Sequence, residues 1–436
     1  MDRQVRWRTI QFITGTGLHA APIGKQEMVR GAGSLMQIPD ILHKEKITRV
    51  LVVTTAGTIR RGTLELLYAR LHAEGISVTT YADVKPDPDV ECVEAAVNAY
   101  HEGDCQAVIA VGGGSAMDCA KVAAARVARP RMSVHKMVGT MKIRKKLPLL
   151  IAVPTTSGTG SEVTAAAVVT ENIDGSHIKH AITDTVLVPK YAILDASLTL
   201  ELSPEITADT GMDALTHAVE AYTNLFASDM VNRKAVEAVQ KICVNLPIAY
   251  EDGRNLHARE QMLIGSYYAG VAFTNNFVGY VHALAHAVGA LYGISHGRAN
   301  AIILPVVMKE YGESVEKKLA ALWDALVHTG SLDLVKVDGS QVDATDAYRC
   351  FQFISLIQRM NEDMGIPDHI EQLREEDFPE IIARAMKEGN PSYPVPQIWN
   401  EEKFMRVLGR LLPDKTLHDE PSDQEATSSD REEVIA

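Results

Sequence analysis

Two stretches of this chain hold side chains that could do chemistry together. "MDALTH" sets Asp213 and His217 four residues apart, and "VHALAH" does the same for His282 and His286. His296 follows ten residues later in "SHG", after a "YGIS" turn. Residues four apart share one helix face, so each pair is presented side by side. A single imidazole in an apolar helix is ordinarily a hydrogen-bonded core residue. Two such pairs and a fifth group are better explained by a shared partner, and a divalent cation takes this mixture of oxygen and imidazole donors. The spacing predicts a metal site and leaves open which four of the five groups ligate.

A second constellation is built from glycine. "AVIAVGGGSAMD" puts Gly112, Gly113, Gly114 and Ser115 between a strand pattern and a helix pattern. Bare amides at a helix start suit a phosphate, although the run is not the full G-x-G-x-x-G fingerprint and a plain tight turn would read the same way. "PTTSGTGSE" (154–162) repeats the device after another strand. Ligands of open parallel sheets bind at that carboxyl edge. Two such turns on one edge predict a dinucleotide.

These groups need elements to hold them. Up to about residue 200, β-branched runs alternate with helical patterns: strands at 49–55, 76–84 and 107–115, another opening 147–162, and helices at 62–75, 87–103 and 116–128. That alternation predicts a mostly parallel, Rossmann-like sheet covered on both faces. From Ser203, a predicted N-cap before Pro204, the strand signals stop. Helical patterns follow at about 229–247, 257–274, 280–291, 313–328, 342–364, 373–387 and 400–412. The expected organisation is an α/β domain over 1–200, an all-helical domain over 201–413 and a disordered acidic tail over 414–436.

Composition narrows the partners. The net charge is −13 over 436 residues, which argues against nucleic acid and against an anionic membrane surface. The short basic run "KIRKK" (142–146) reads as a solvated loop. Five irregularly spaced cysteines, with no C-x-x-C, fit a reducing compartment. With no apolar run of 18 residues and no secretory h-region, a cytoplasmic protein is expected.

The strings "GGGSAMD", "PTTSGTGSEVT", "TGMDALTHAVEAY", "GYVHALAHAVGALYGISHGRANAIILP" and "EGNPSYPVP" together resemble the iron-containing (type III) alcohol dehydrogenase family, in order over roughly residues 10–412. The resemblance implies a dehydroquinate synthase-like two-domain architecture with a metal in the cleft between domains. Carried over motif by motif, the ligands are Asp213, His217, His282 and His296. His286 is then the catalytic group, beside the nicotinamide in a proton relay. Ferrous iron is the implied ion, with zinc or another divalent cation able to use the same donors. The implied cofactor contacts are Gly112, Gly113, Gly114 and Ser115 at the pyrophosphate, Asp118 in the helix that follows, Thr155, Thr156 and Thr159 in the second turn, then Thr164, Val168 and Lys179. Asp87 stands where the family often has Asn. Relatives are usually dimers or larger, so a homo-oligomer is expected.

Two departures carry information. Many members end the strand that reads "VLVVT" here with an Asp that binds the adenosine ribose and repels a 2′-phosphate. This chain reads "VLVVTTAGTIRRG", with Thr55 at that place and Arg60 and Arg61 close by. NADPH is therefore expected to bind as well as NADH. Phe273 matches a substrate-lining aromatic, and Ala166 stands where some relatives carry a polar group that meets a substrate hydroxyl. A short aliphatic aldehyde or alcohol is expected over a diol. Two other readings remain at this point: a glycerol dehydrogenase or dehydroquinate synthase-like enzyme of the sister family, and a non-redox metal hydrolase.

Overall fold

In the N-terminal half, short apolar runs pair into one parallel sheet. The computed structural model describes residues 3–20, 26–173, 176–330 and 345–413. Its strands are β1 (Glu27–Arg30), β2 (Arg49–Val53), β3 (Ser77–Tyr81), β4 (Ala107–Gly112), β5 (Gly139–Thr140), β6 (Leu149–Pro154), β7 (Ala166–Ile173), β8 (Ser176–Thr183) and β9 (Tyr191–Leu194). Six of them form a parallel sheet in the order β1-β9-β6-β4-β2-β3. The central β4 is buried at every position, as expected of a strand with helices on both faces. Apolar clusters lie on each side of it, one around Leu51, Val108 and Ala120, the other around Val50, Ile109 and Ile151.

The chain reverses direction across the sheet between β2 and β4. The crevice at their carboxyl ends is where such sheets bind ligands. Thr55, the turn at 112–115 and the turn at 155–160 all leave strands at this edge. The strand predicted over 107–115 stops at Gly112, and the following helix begins at Gly114 rather than at 116.

Beyond Pro204 the described chain is helical. Ser203 caps the helix Pro204–Thr223 by accepting from the Ile206 N–H at 3.2 Å. Further helices are Asp229–Glu251, Leu256–Asn276, Tyr280–Tyr292, His296–Tyr311, Glu313–Val327, Asp346–Asp363, Phe378–Gly389 and Glu401–Gly409, around one large apolar core. The His296–Tyr311 helix was not expected, since Pro305 and Asn300 interrupt its apolar periodicity. Neither were the antiparallel β7–β8 hairpin and the N-terminal helix Arg3–Ala20. Residues 342–344 of the expected 342–364 helix, and the tail 414–436, lie outside the described residues.

The two halves meet without a gap. Gly160 has φ +59°, and a Cβ there would stand 2.8 Å from the Gly270 Cα, so only bare backbone fits this junction. Beside it, Val163, Ala192 and Leu194 pack on Leu263, Ile264 and Tyr267 of the Leu256–Asn276 helix.

Candidate metal and nucleotide site

The Pro204–Thr223 helix presents Asp213 and His217 on one face. The Tyr280–Tyr292 helix presents His282, and His296 opens the next helix. One ligand atom from each of these four residues lies within 4.8 Å of the other three. His296 Nε2 is 3.3 Å and His282 Nε2 is 3.8 Å from Asp213 Oδ1, while His217 Nδ1 is 4.0 Å from Asp213 Oδ2. The His217 and His282 rings stack at 4.5 Å.

The donor set fits a bound cation. Asp213, His217 and His282 are buried, yet His217 Nδ1 and His282 Nε2 have no hydrogen-bond partner. An orphaned buried nitrogen costs about 1–3 kcal/mol, and here two of them face one carboxylate. A metal ligand must offer a lone pair, so its imidazole must be neutral. Burial holds His282 well below its ordinary pKa and lowers His217, and depth in the cleft brings His296 down to about 4.

Residues that sequence reasoning missed orient these four side chains. Glu220 Oε2 meets His282 Nδ1 at 2.5 Å, and its Oε1 accepts from the Val281 N–H at 2.7 Å. Gly279 makes room for this carboxylate, since a Cβ there would stand 2.8 Å from Oε1. A carboxylate behind a ligating imidazole fixes its tautomer and ring plane. Asn300 Nδ2 donates to Asp213 Oδ1 at 2.8 Å and lies 3.1 Å from His296 Nε2.

His286 sits beside the cluster and outside it, its ring stacked on His296 at 4.9 Å. Its Nδ1 meets Glu388 Oε1 at 2.7 Å, and the Tyr393 hydroxyl donates to the same oxygen at 2.7 Å. Depth in the cleft pulls the His286 pKa down, but the Glu388 charge and hydrogen bond outweigh it and leave it raised. Neither Glu388 nor Tyr393 was anticipated. Phe273 stacks on the His217 ring at 4.2 Å.

The two glycine turns fit into one another. A Cβ on Gly114 would stand 2.9 Å from Thr159, and one on Gly113 would stand 3.3 Å from the Thr156 hydroxyl. The Thr155 N–H donates to the Gly112 carbonyl at 2.9 Å, and Ser115 lies in the first turn of the Gly114–Ala128 helix. Gly158 packs on the Pro204–Thr223 helix, where a Cβ would stand 2.8 Å from Thr210, and its backbone acts on His217, so the second turn reaches the Asp–His cluster.

Two expected cofactor contacts are engaged elsewhere. Asp118 accepts from the Ser161 hydroxyl at 2.7 Å and the Val168 N–H at 2.9 Å, pinning the second turn to β7. Thr164 is buried, its hydroxyl and carbonyl both held by Lys121 Nζ at 2.9 Å. Lys121, a buried cation that sequence reading passed over, also holds the Ala166 carbonyl and so sets the start of β7. Val168 is partly exposed. Lys179 pairs with Asp87 at 2.8 Å on the exposed rim, and its charge reaches His286 and His296. Asp87 holds a left-handed φ of +50°, a conformation that Asp and Asn tolerate.

Thr55 caps the short helix Ala56–Arg60, its hydroxyl 3.3 Å from the Thr58 N–H. The Cβ position of Gly57 is 3.3 Å from an Arg61 guanidinium nitrogen, 3.7 Å from the Thr55 hydroxyl and 4.0 Å from an Arg60 guanidinium nitrogen. Two cations and a hydroxyl therefore share one patch beyond β2. Among the described residues no helix is long and apolar enough to cross a membrane.

Known proteins are similar to this chain in sequence and in fold. The chain is 38% identical to long-chain-alcohol dehydrogenase 1 of Geobacillus thermodenitrificans, over 77% of this chain and 82% of that protein. It is 34% identical to 1,3-propanediol dehydrogenase of Citrobacter freundii, over 83% and 90%. The crystal structure of a 1,3-propanediol oxidoreductase superposes with a TM-score of 0.82 at 30% identity, covering 90% of this chain and all of that one. Sulfoacetaldehyde reductase of Bifidobacterium kashiwanohense, solved in complex with NAD+, superposes with a TM-score of 0.76 at 26% identity, over 88% and 96%. The profile described as iron-containing alcohol dehydrogenase matches residues 25–196, and that of the family's C-terminal region matches residues 207–412. With the α/β sheet, the helical half and the Asp–His cluster between them, this chain belongs to the iron-containing alcohol dehydrogenase family.

Proposed function

We propose that the protein is a metal-dependent alcohol dehydrogenase or aldehyde reductase that moves hydride between NADPH or NADH and a short aliphatic aldehyde or alcohol. The observation that carries the reading is the convergence of Asp213, His217, His282 and His296, two of their nitrogens orphaned, against a glycine turn at the carboxyl edge of the sheet. A divalent ion on these four groups supplies Lewis acidity toward the substrate oxygen, and a bound nicotinamide supplies or accepts the hydride.

The chain's own residues do the rest. Glu220 and Asn300 hold the ligand side chains in place before anything binds, so little reorganisation is left for the reaction. Glu388 accepts from His286 Nδ1–H, which leaves the Nε2 lone pair to take the proton of an alcohol or return it to an alkoxide. Phe273 forms an apolar wall over His217 and excludes water. Ala166, with a methyl where a polar group would recognise a second hydroxyl, favours a plain aliphatic substrate over a diol.

Cofactor choice rests on the patch at Thr55. A hydroxyl replaces a ribose-binding carboxylate, and two guanidinium groups stand within 4 Å of the same point. That chemistry accepts a 2′-phosphate, so NADPH is bound as well as or better than NADH. Five buried cysteines with no disulfide fit a cytoplasmic setting. The homo-oligomer expected from the resemblance is checked by size-exclusion chromatography with light scattering.

The test is anaerobic, aldehyde-dependent oxidation of NADPH and NADH across a chain-length series, after loading with Fe2+ or Zn2+. Turnover is expected, with loss on chelation and in His282→Ala together with loss of the metal. Absence of turnover with every aldehyde, in protein that binds nucleotide and metal, refutes the reading. A hydrolase would bind metal without quenching NAD(P)H fluorescence.

A further inference from the structure

A second group of metal-ligating side chains stands apart from the cleft. His135 comes from the short helix Val134–Met137, Glu171 from β7 and His180 from β8. One ligand atom from each lies within 4.8 Å of the others. His135 Nδ1 is 3.1 Å and His180 Nε2 is 3.0 Å from the same oxygen, Glu171 Oε2.

The hairpin register explains the meeting. Val169 pairs with His180 and Thr170 with Lys179. Side chains alternate between the two faces of a strand, so Glu171 shares the face of Val169 and His180. That face continues into the apolar cluster of Ala167, Val169 and Ile182, on which Val134 and Met137 also pack. The folding of the core therefore brings His135 over the hairpin. Lys179 and Thr170 lie on the opposite face, and Lys179 is the residue whose charge reaches the cleft histidines.

His135 Nδ1 makes an ordinary hydrogen bond to Glu171 Oε2, so it is the geometry at His180 that points to a cation. His180 Nε2 is a buried atom and has no hydrogen-bond partner, although it lies within hydrogen-bonding distance of Glu171 Oε2. Distance being satisfied, it is direction that fails: the ring nitrogen is not aimed at the oxygen. Two ligands on one zinc ion, at about 2.0–2.1 Å each, sit roughly 3.3 Å apart, and each lone pair points at the ion, well off the line between them. The spacing and the misdirection seen here are those of two ligands sharing an ion.

We propose that His135, Glu171 and His180 form a second divalent-metal site, suited to zinc, that clamps the Val134–Met137 helix onto the β7–β8 hairpin. Two imidazoles and one carboxylate leave a fourth position for water, which the exposure of His135 provides. The ion would stiffen from behind a hairpin whose other face presents Lys179 to the cofactor cleft.

The experiment is zinc counting on chelator-stripped full-length protein, by titration against a chromophoric chelator and by elemental analysis. Wild type is expected to take two equivalents per chain. The double variant His135→Ala/His180→Ala is expected to take one, and to keep its far-UV circular dichroism. In His282→Ala, whose cleft site is disabled, the one remaining equivalent is expected to disappear when the double substitution is added. Wild type stopping at one equivalent that the double substitution leaves in place overturns the proposal. A count unchanged by His282→Ala but lowered by the double substitution would instead overturn the cleft assignment and leave this site standing.

Discussion

Glu220→Gln is the sharpest probe of how the cleft holds its ion. The Glu220 carboxylate is buried, its Oε2 against His282 Nδ1 at 2.5 Å and its Oε1 under the Val281 N–H at 2.7 Å. Glutamine fits the same volume but carries only one acceptor oxygen. If that oxygen stays on the backbone amide, the side-chain NH2 faces His282 Nδ1. The ring must then put its lone pair on Nδ1 and its proton on Nε2, the atom that faces Asp213 at 3.8 Å. If the amide flips, the NH2 meets the Val281 N–H, donor against donor. The side chain is fully buried and cannot turn out to water instead. Loss of such a supporting group costs metal affinity about 10–100-fold, or about 1.4–2.7 kcal/mol. The metal-free protein should behave differently. Burial pushes the Glu220 carboxyl up to about 8, so near neutral pH the metal-free fold must hold it protonated at a cost, and a neutral amide removes that cost. Metal affinity is therefore expected to fall while the metal-free Tm holds or rises. Competition with a chelator of known affinity reads the first quantity, and scanning calorimetry of stripped protein reads the second. Affinity within twofold of wild type, or a parallel fall in both, refutes the argument.

Other substitutions test other parts of the site. His286→Gln should retain one cleft metal while kcat falls about 10²–10⁴-fold, and Glu388→Gln should lower kcat more than it raises KM; loss of metal in either places His286 among the ligands. Thr55→Asp should raise KM for NADPH at least about tenfold and KM for NADH under about threefold, from repulsion of the 2′-phosphate; equal changes sink the cofactor argument. Glu162 is buried with an unpartnered Oε1, and burial pushes its carboxyl up to about 7. The folded chain thus keeps a proton that the unfolded chain releases above its ordinary pKa of 4.5, so stability falls as pH rises from there to about 7. Glu162→Gln removes that term, and its Tm relative to wild type should climb between pH 5 and pH 8, by an amount equivalent to at most about 3 kcal/mol; a difference independent of pH contradicts it.

What was legible in the sequence had local causes. Asp213 with His217, and His282 with His286, declared themselves because a helix turns four-residue spacing into one face. The glycine turns were visible because the backbone there must approach another segment closely, as Gly114 approaches Thr159. Glu220 had a signal that went unused: it lies three residues beyond His217 on the same helix face. Glu388 had none. It reaches His286 across 102 positions, and no local pattern encodes such a meeting. The same holds for the N-terminal helix. It is fixed by Arg8 donating to the Val395 carbonyl at 2.6 Å and the Pro396 carbonyl at 3.0 Å, and by Gln11 donating to the Tyr393 carbonyl at 2.7 Å.

These long-range contacts form one chain with a functional consequence. Arg8 and Gln11 hold the segment that carries Tyr393, Tyr393 and His286 share the Glu388 oxygen, and His286 stacks on the proposed ligand His296. The N-terminal helix thus supports His286, the proposed proton-handling residue, through three successive contacts, none of them at the proposed metal ligands. A change at Arg8 should act on kcat through the orientation of His286 while leaving the four-ligand cluster intact, because Asp213, His217 and His282 are held by their own helices and by Glu220 and Asn300. The site is built as two separately supported parts, one that fixes the ion and one that aims the imidazole, and only the first of these is written into neighbouring positions of the sequence.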